Sequence, residues 1–102
     1  ARLENLGVTR DAIEIDPNHR NIHYTYNNMA QSKLELNDFE GAIEDSSKAI
    51  EENPDFFAAY RIRALSFLLN NEIDKACKDW LIGIKQEGFN PESYPEFKNI
   101  CN

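Results

Sequence analysis

The chain has 102 residues, and 18 acidic against 11 basic side chains leave a net charge of −7. That length corresponds to one domain with one modest core, and six Phe, four Tyr and one Trp supply enough apolar surface to exclude a disordered chain. The acidic balance excludes non-specific nucleic-acid binding, which depends on basic side chains displacing counterions; no run of 18 apolar residues is present to span a membrane, and two cysteines cannot build a dense disulfide framework.

The first stretch, residues 1–17, ends in Ala12-Ile13-Glu14-Ile15-Asp16-Pro17, which parallels Ala49-Ile50-Glu51-Glu52-Asn53-Pro54 at an offset of 37. It is expected to be the second helix of an incomplete unit, with Gly7 weakening its start and Leu3, Leu6 and Val8 near an open edge. Further repeats are expected upstream in the parent protein.

Residues 23–56 and 57–90 superimpose at a shift of 34: Tyr26 on Tyr60, Ala30 on Ala64, Leu34 on Leu68, Asn37 on Asn71, Ala42 on Ala76, Asp45 on Asp79, Ile50 on Ile84. Within each copy the apolar residues recur every three or four positions, which predicts two helices per unit. The breaks fall at Asn37-Asp38 and Asn70-Asn71, and Asp38 is placed to accept from the free N–H groups opening the second helix. Gly88 is expected to end the last helix of the second copy in the left-handed conformation. The small residues Ala30, Ala42, Ala49, Ala64, Ala76 and Gly83 let helix backbones approach. With Tyr26, Leu34, Phe39, Ile43, Tyr60, Phe67, Leu68, Trp80 and Ile84 they form the expected core. In residues 91–102, Ser93-Tyr94-Pro95-Glu96 reads as a capping box opening a terminal helix through Ile100. Phe97, Ile100 and Cys101 should face the preceding unit.

The 34-residue period, the helix pairs and the alanine, aromatic and proline positions resemble the tetratricopeptide repeat. Tyr26, Met29-Ala30, Ala42, Ala49 and Pro54 match the family pattern in the first copy, and Tyr60, Ala64, Phe67, Ala76 and Trp80 match it in the second. Lys33, Ser46 and Arg63 depart from it. The ending resembles C-terminal units of bacterial members. The resemblance implies an all-α, right-handed superhelical solenoid of antiparallel helix pairs with a C-terminal capping helix.

Catalytic and metal chemistry find little footing. His19 and His23 have H-x3-H spacing, but Cys77 and Cys101 are 24 apart and far downstream, so zinc lacks a four-ligand set. Both histidines are remote from the cysteines, no G-x-S-x-G or glycine-rich phosphate loop occurs, and Glu40, Glu44, Asp45, Glu51 and Glu52 read as a solvated helix face. No enzyme activity, metal or cofactor is expected. Cys77 and Cys101 should lie near one another; the expected state is two buried free thiols, with a disulfide as the alternative if the protein is exported. The compartment stays open, with the cytoplasm favoured.

The resemblance instead implies a protein-interaction module. Its groove positions carry over as Tyr24, Asn27, Asn28, Gln31 and Glu35 on the first unit and Ala58, Arg61, Ile62, Leu65 and Leu69 on the second. Asn and Gln can hydrogen-bond a peptide backbone, and Arg61 could pair bidentately with a carboxylate. A peptide or partner helix, basic by long-range attraction to the acidic chain, is the expected ligand; the alternative is a structural array packing through its edge. Family members that grip acidic chaperone tails use a Lys/Asn/Arg clamp, of which this chain keeps Asn28 alone: Asn27, Gln31, Ala58 and Ile62 stand at the other positions. Titrating the chain into a labelled acidic C-terminal tail peptide should therefore give no anisotropy change at micromolar concentrations, and saturable binding there would disprove the assignment.

Overall fold

A computed structural model describes residues 21–101. The helix expected in residues 1–17 lies outside them. Four α-helices follow in order: α1 Ile22–Glu35, α2 Phe39–Glu52, α3 Phe57–Leu69 and α4 Ile73–Gly83. Two 3-10 turns, Pro91–Ser93 and Pro95–Phe97, close the chain, and no strand occurs among the described residues. Connections of three residues, 36–38 and 70–72, leave each following helix room only to fold back antiparallel. Accordingly α1 packs on α2 and α3 on α4; α2 also packs on α3, and α1 touches α3.

The two tight connections share one chemistry. Asn37 and Asn71 adopt positive φ values of 66° and 64°. Asp38 N–H donates to the Lys33 carbonyl (2.8 Å) and Asn37 N–H to that of Leu34 (3.0 Å); Glu72 and Asn71 repeat this with Phe67 (2.8 Å) and Leu68 (3.1 Å). Each is a Schellman motif, in which a left-handed residue satisfies the last free carbonyls of the helix. Asparagine tolerates that conformation better than most residues because its short amide bonds locally. The Asp38 side chain then caps α2, accepting from Gly41 N–H at 3.1 Å, as its position predicts.

Small residues occupy the fully buried sites. Ala30, Ala42, Ala49, Ala59, Ala64 and Ala76 have no exposed surface. Gly83 is buried too, and a Cβ there would lie 2.5 Å from Arg61 Cγ and 3.2 Å from Arg61 N, so glycine is needed for α4 to meet α3. The expected large core residues divide. Trp80 and Leu34 are buried, whereas Tyr26, Phe39, Ile43, Tyr60, Phe67, Leu68 and Ile84 are half-buried along the helix edges. Tyr60 uses its position to donate its hydroxyl to the Pro54 carbonyl (3.0 Å).

Asp45 corrects the expected solvated face: it is 3% exposed, against exposed Glu40, Glu44, Glu51 and Glu52. Lys33 Nζ lies 2.9 Å from its Oδ2 and so compensates the buried charge. Asp79, its equivalent in the second pair, is 5% exposed and receives a two-pronged Arg63 guanidinium, Nε at 2.7 Å and Nη2 at 2.9 Å. Arg63 also donates to Ser47 Oγ on α2 (3.0 Å), tying the two helix pairs together.

The C-terminal segment differs from its expected helix. α4 ends at Gly83, and Gly88 serves a later turn instead, with φ 84° and a Phe89 N–H bond to the Gln86 carbonyl (3.1 Å). The 3-10 turns replace a capping helix. Asn90, rather than Ser93, supplies the cap, accepting from Glu92 N–H. Two prolines within five residues interrupt any longer ladder of backbone bonds. Phe97 does reach the core, 1% exposed and stacked on Trp80 at 4.3 Å between centroids, with Tyr94 at 5.4 Å and Phe89 at 6.1 Å. Ile100 turns outward, 41% exposed. Cys77 and Cys101 are joined in a disulfide, so the expected free thiols are replaced by the bridge.

The Lys33–Asp45 pair yields a pH-resolved prediction. The hydrogen bond to Asp45 raises the Lys33 pKa above its ordinary value, burial opposes this, and the charges of Asp45, Asp38 and Glu44 add to the rise. Its stabilisation is present below the unfolded lysine pKa and is lost as pH rises through the folded one. Lys33→Met should cost on the order of 3 kcal/mol at neutral pH, because it leaves a buried carboxylate alone. In urea melts across pH 7 to 11 that deficit should hold through neutral pH and shrink only above about 10.5, the unfolded lysine value.

Candidate functional site

The residues carried over from the repeat resemblance form two stripes, one on each first helix of a pair. Spacings of three and four along α1 and α3 put Tyr24, Asn28, Gln31 and Glu35 on one side of α1 and Ala58, Ile62, Leu65 and Leu69 on one side of α3. Since α1 and α3 touch, the stripes belong to neighbouring helices of one layer.

The α1 stripe is open. Tyr24 is 52% exposed, and Asn28, Gln31 and Glu35 are exposed as well. Gln31 Nε2 donates to Glu35 Oε2 at 3.2 Å, a weak surface bond that leaves its carbonyl oxygen free to accept. Asn27 is half-buried beside them, and its Oδ1 is shielded from solvent without a hydrogen-bond partner. At the start of α1, His23, Tyr24 and Phe56 form an aromatic corner, with Tyr24 and Phe56 centroids 5.2 Å apart and His23 to Phe56 4.9 Å. Phe56 is not among the positions carried over from the repeat resemblance, because it sits one position before α3 begins; the aromatic pair at consecutive positions 56 and 57 is the signal for it in the sequence.

The α3 stripe is partly taken. Leu69 is 48% exposed and Ile62 half-buried, but Leu65 packs against the cluster of Ala64, Ala76, Trp80 and Phe97. Arg61 is committed within the chain. Its Nη1 donates to the Gly83 carbonyl (2.7 Å) and to Gln86 Oε1 (3.0 Å), and its guanidinium lies 4.1 Å over the Phe89 ring. Burial lowers its pKa, with Tyr94 acting the other way. A cation at the C-terminus of α4 is also favoured by the partial negative charge of the last carbonyls. Arg61 Nη1 is thus engaged within the chain, in a contact that closes α4 onto the C-terminal segment.

Other surfaces carry less. Two open depressions lie away from the stripes, one along residues 71–75 and one lined by Arg63, Phe67, Lys75, Lys78, Asp79 and Ile82. The second has the neutralised Arg63–Asp79 pair in its lining. Among the described residues no three His, Cys, Asp or Glu side chains converge as metal ligands would. No described helix is long and apolar enough to cross a membrane. No protein-family model matches the sequence, and no solved structure matches the chain.

Arg61→Ala should act on stability. Removing a charge-assisted bond to a helix-terminal carbonyl and the stacking on Phe89 should cost about 2 kcal/mol. Arg61→Lys, which keeps the charge without the planar fork, should recover about half of it in urea melts. A melt unchanged in both variants would show that the Gly83 and Phe89 contacts contribute nothing.

Proposed function

We propose that this chain is a non-catalytic protein-interaction module, a tetratricopeptide-like array that receives an extended peptide or a partner helix along the α1–α3 layer. The observation that carries this reading is the α1 stripe: an exposed tyrosine followed by exposed Asn28, Gln31 and Glu35. Its amides can bond a peptide backbone without demanding particular side chains. The adjoining aromatic corner and Leu69 offer apolar contact at the two ends of the layer. Glu35 and the surplus of acidic side chains favour a ligand with basic residues, through an attraction that salt weakens.

A second reading, assembly through an edge, draws on a different observation. Ile73 and Leu81, eight positions apart on α4, are 46% and 50% exposed and form an apolar ridge outside the stripes.

The test uses a displayed random-peptide library selected on the full chain, with hits remeasured by fluorescence anisotropy at two salt concentrations. Asn28→Ala combined with Gln31→Ala should weaken binding roughly thirtyfold, two lost hydrogen bonds at about 1 kcal/mol each. The melting temperature should not move, because both side chains are exposed. Hits that bind this double variant and wild type equally, yet are lost in Leu81→Glu, would transfer the function to the α4 ridge.

A further inference from the structure

We propose that the Cys77–Cys101 disulfide is a redox latch: it holds residues 85–101 over the α3 half of the candidate wall, and its reduction by a dithiol releases them. The release itself stands on the geometry of the segment. Its effect on ligand binding rests on the reading of the wall given above.

The segment is built to be held by few contacts. It contains no α-helix, only two three-residue 3-10 turns, which do not extend cooperatively. Most of its side chains are exposed, including Glu87, Asn90, Glu92, Ser93, Glu96 and Lys98. Its noncovalent attachment is concentrated in Phe97 against Trp80, in Tyr94 and Phe89 beside that ring, and in the Arg61 contacts to Gln86 and Phe89. A stretch with few buried contacts per ordered residue is the kind that opens locally while the rest of the fold persists. The disulfide spans a separation of 24 residues and fixes the far end of the segment to α4, one turn before Trp80. Such a crosslink excludes most open conformations of the loop it closes. Cys77 and Cys101 are each only half-buried, so an attacking thiolate can reach the bridge.

What lies beneath the segment gives the latch a consequence. Arg61 and Leu65, both positions of the candidate wall, are engaged by it or by the cluster that it completes. Opening would uncover Trp80 and free the guanidinium of Arg61 from Gln86 and Phe89, adding a cation and an indole to the α3 side of the wall. The chemistry balances with a dithiol of the class that cellular reductases present. One of its thiolates attacks a bridge sulfur to give a mixed disulfide, and the second displaces the protein thiol. The reductant leaves oxidised, and the protein gains two electrons and two protons as two thiols.

The test needs no ligand, so a failure of the wall reading leaves it untouched. The oxidised chain, the chain in excess dithiothreitol, and Cys101→Ser are compared by tryptophan emission wavelength, trypsin cleavage and far-UV circular dichroism. Trp80 is the one tryptophan, and wavelength is read rather than intensity because the bridge itself quenches nearby indole. Reduction and Cys101→Ser should both shift the emission to the red. Both should speed cleavage after Lys85 and Lys98 on the order of a hundredfold, the effect of a crosslink on an opening of this loop size. Helicity should be retained. Unchanged emission and cleavage would show a cap that needs no latch. Loss of helicity would show a staple of the whole fold. Either result overturns the proposal.

Discussion

The closeness of the helix backbones is the constraint from which the rest follows. The fully buried helix positions are mostly small: Ala30, Ala42, Ala49, Ala59, Ala64 and Ala76, with Gly83 at the α3–α4 contact, where a Cβ would have no room. Small residues at these sites displace the large ones to the helix edges. There Tyr26, Phe39 and Tyr60 lie half-buried. The largest buried side chains gather instead at one end, where Trp80 and Phe97 stack. A substitution as small as Gly83→Ala puts a methyl group against the Arg61 backbone and side chain, and it would act on the helix angle as well as on the local packing.

The charge pairs show what can and cannot be seen in a sequence of this type. The helices, the breaks at Asn37 and Asn71 and the alanine seam follow from period and spacing, because those are properties of single helices. The burial of Asp45 does not, since an acidic run on one helix looks solvated until the neighbouring helix is placed. Yet two signals were present. Asp45 and Asp79 coincide at the 34-residue shift, and two of the three departures from the repeat pattern, Lys33 and Arg63, are cations. The structure joins these facts: each departing cation sits across from the recurring acid. The cation moves by one helical turn between the pairs, from the position equivalent to Phe67 to that equivalent to Met29, which is why no simple alignment couples it to the acid.

The positions carried over from the repeat resemblance divide between the two helices. Those on α1 are exposed or half-buried. Of those on α3, Arg61 is held by Gln86, twenty-five positions away in the C-terminal segment, and Leu65 packs against the buried cluster around Trp80. That segment was the least readable part of the chain. A capping-box pattern at Ser93 and Glu96 competes with Pro91 and Pro95, and the prolines prevail. The aromatic residues Phe89, Tyr94 and Phe97 have no helical spacing; what organises them is a common partner, Trp80, rather than a period.

The paired asparagine turns bear on folding rate as well as on geometry. Because each connection closes with bonds between residues three to five positions apart, each helix pair is joined by neighbours along the chain, the kind of contact associated with fast folding. The interactions that bridge pairs, such as Arg63 to Ser47, span a longer loop. Those that dock the C-terminal segment, Arg61 to Gln86 and Cys77 to Cys101, span a longer one still. The contacts thus fall into ranks by the length of chain each closes: hairpins, then their stacking, then the tail. The disulfide belongs to the last rank, a covalent bond between two positions that only the docked tail brings together.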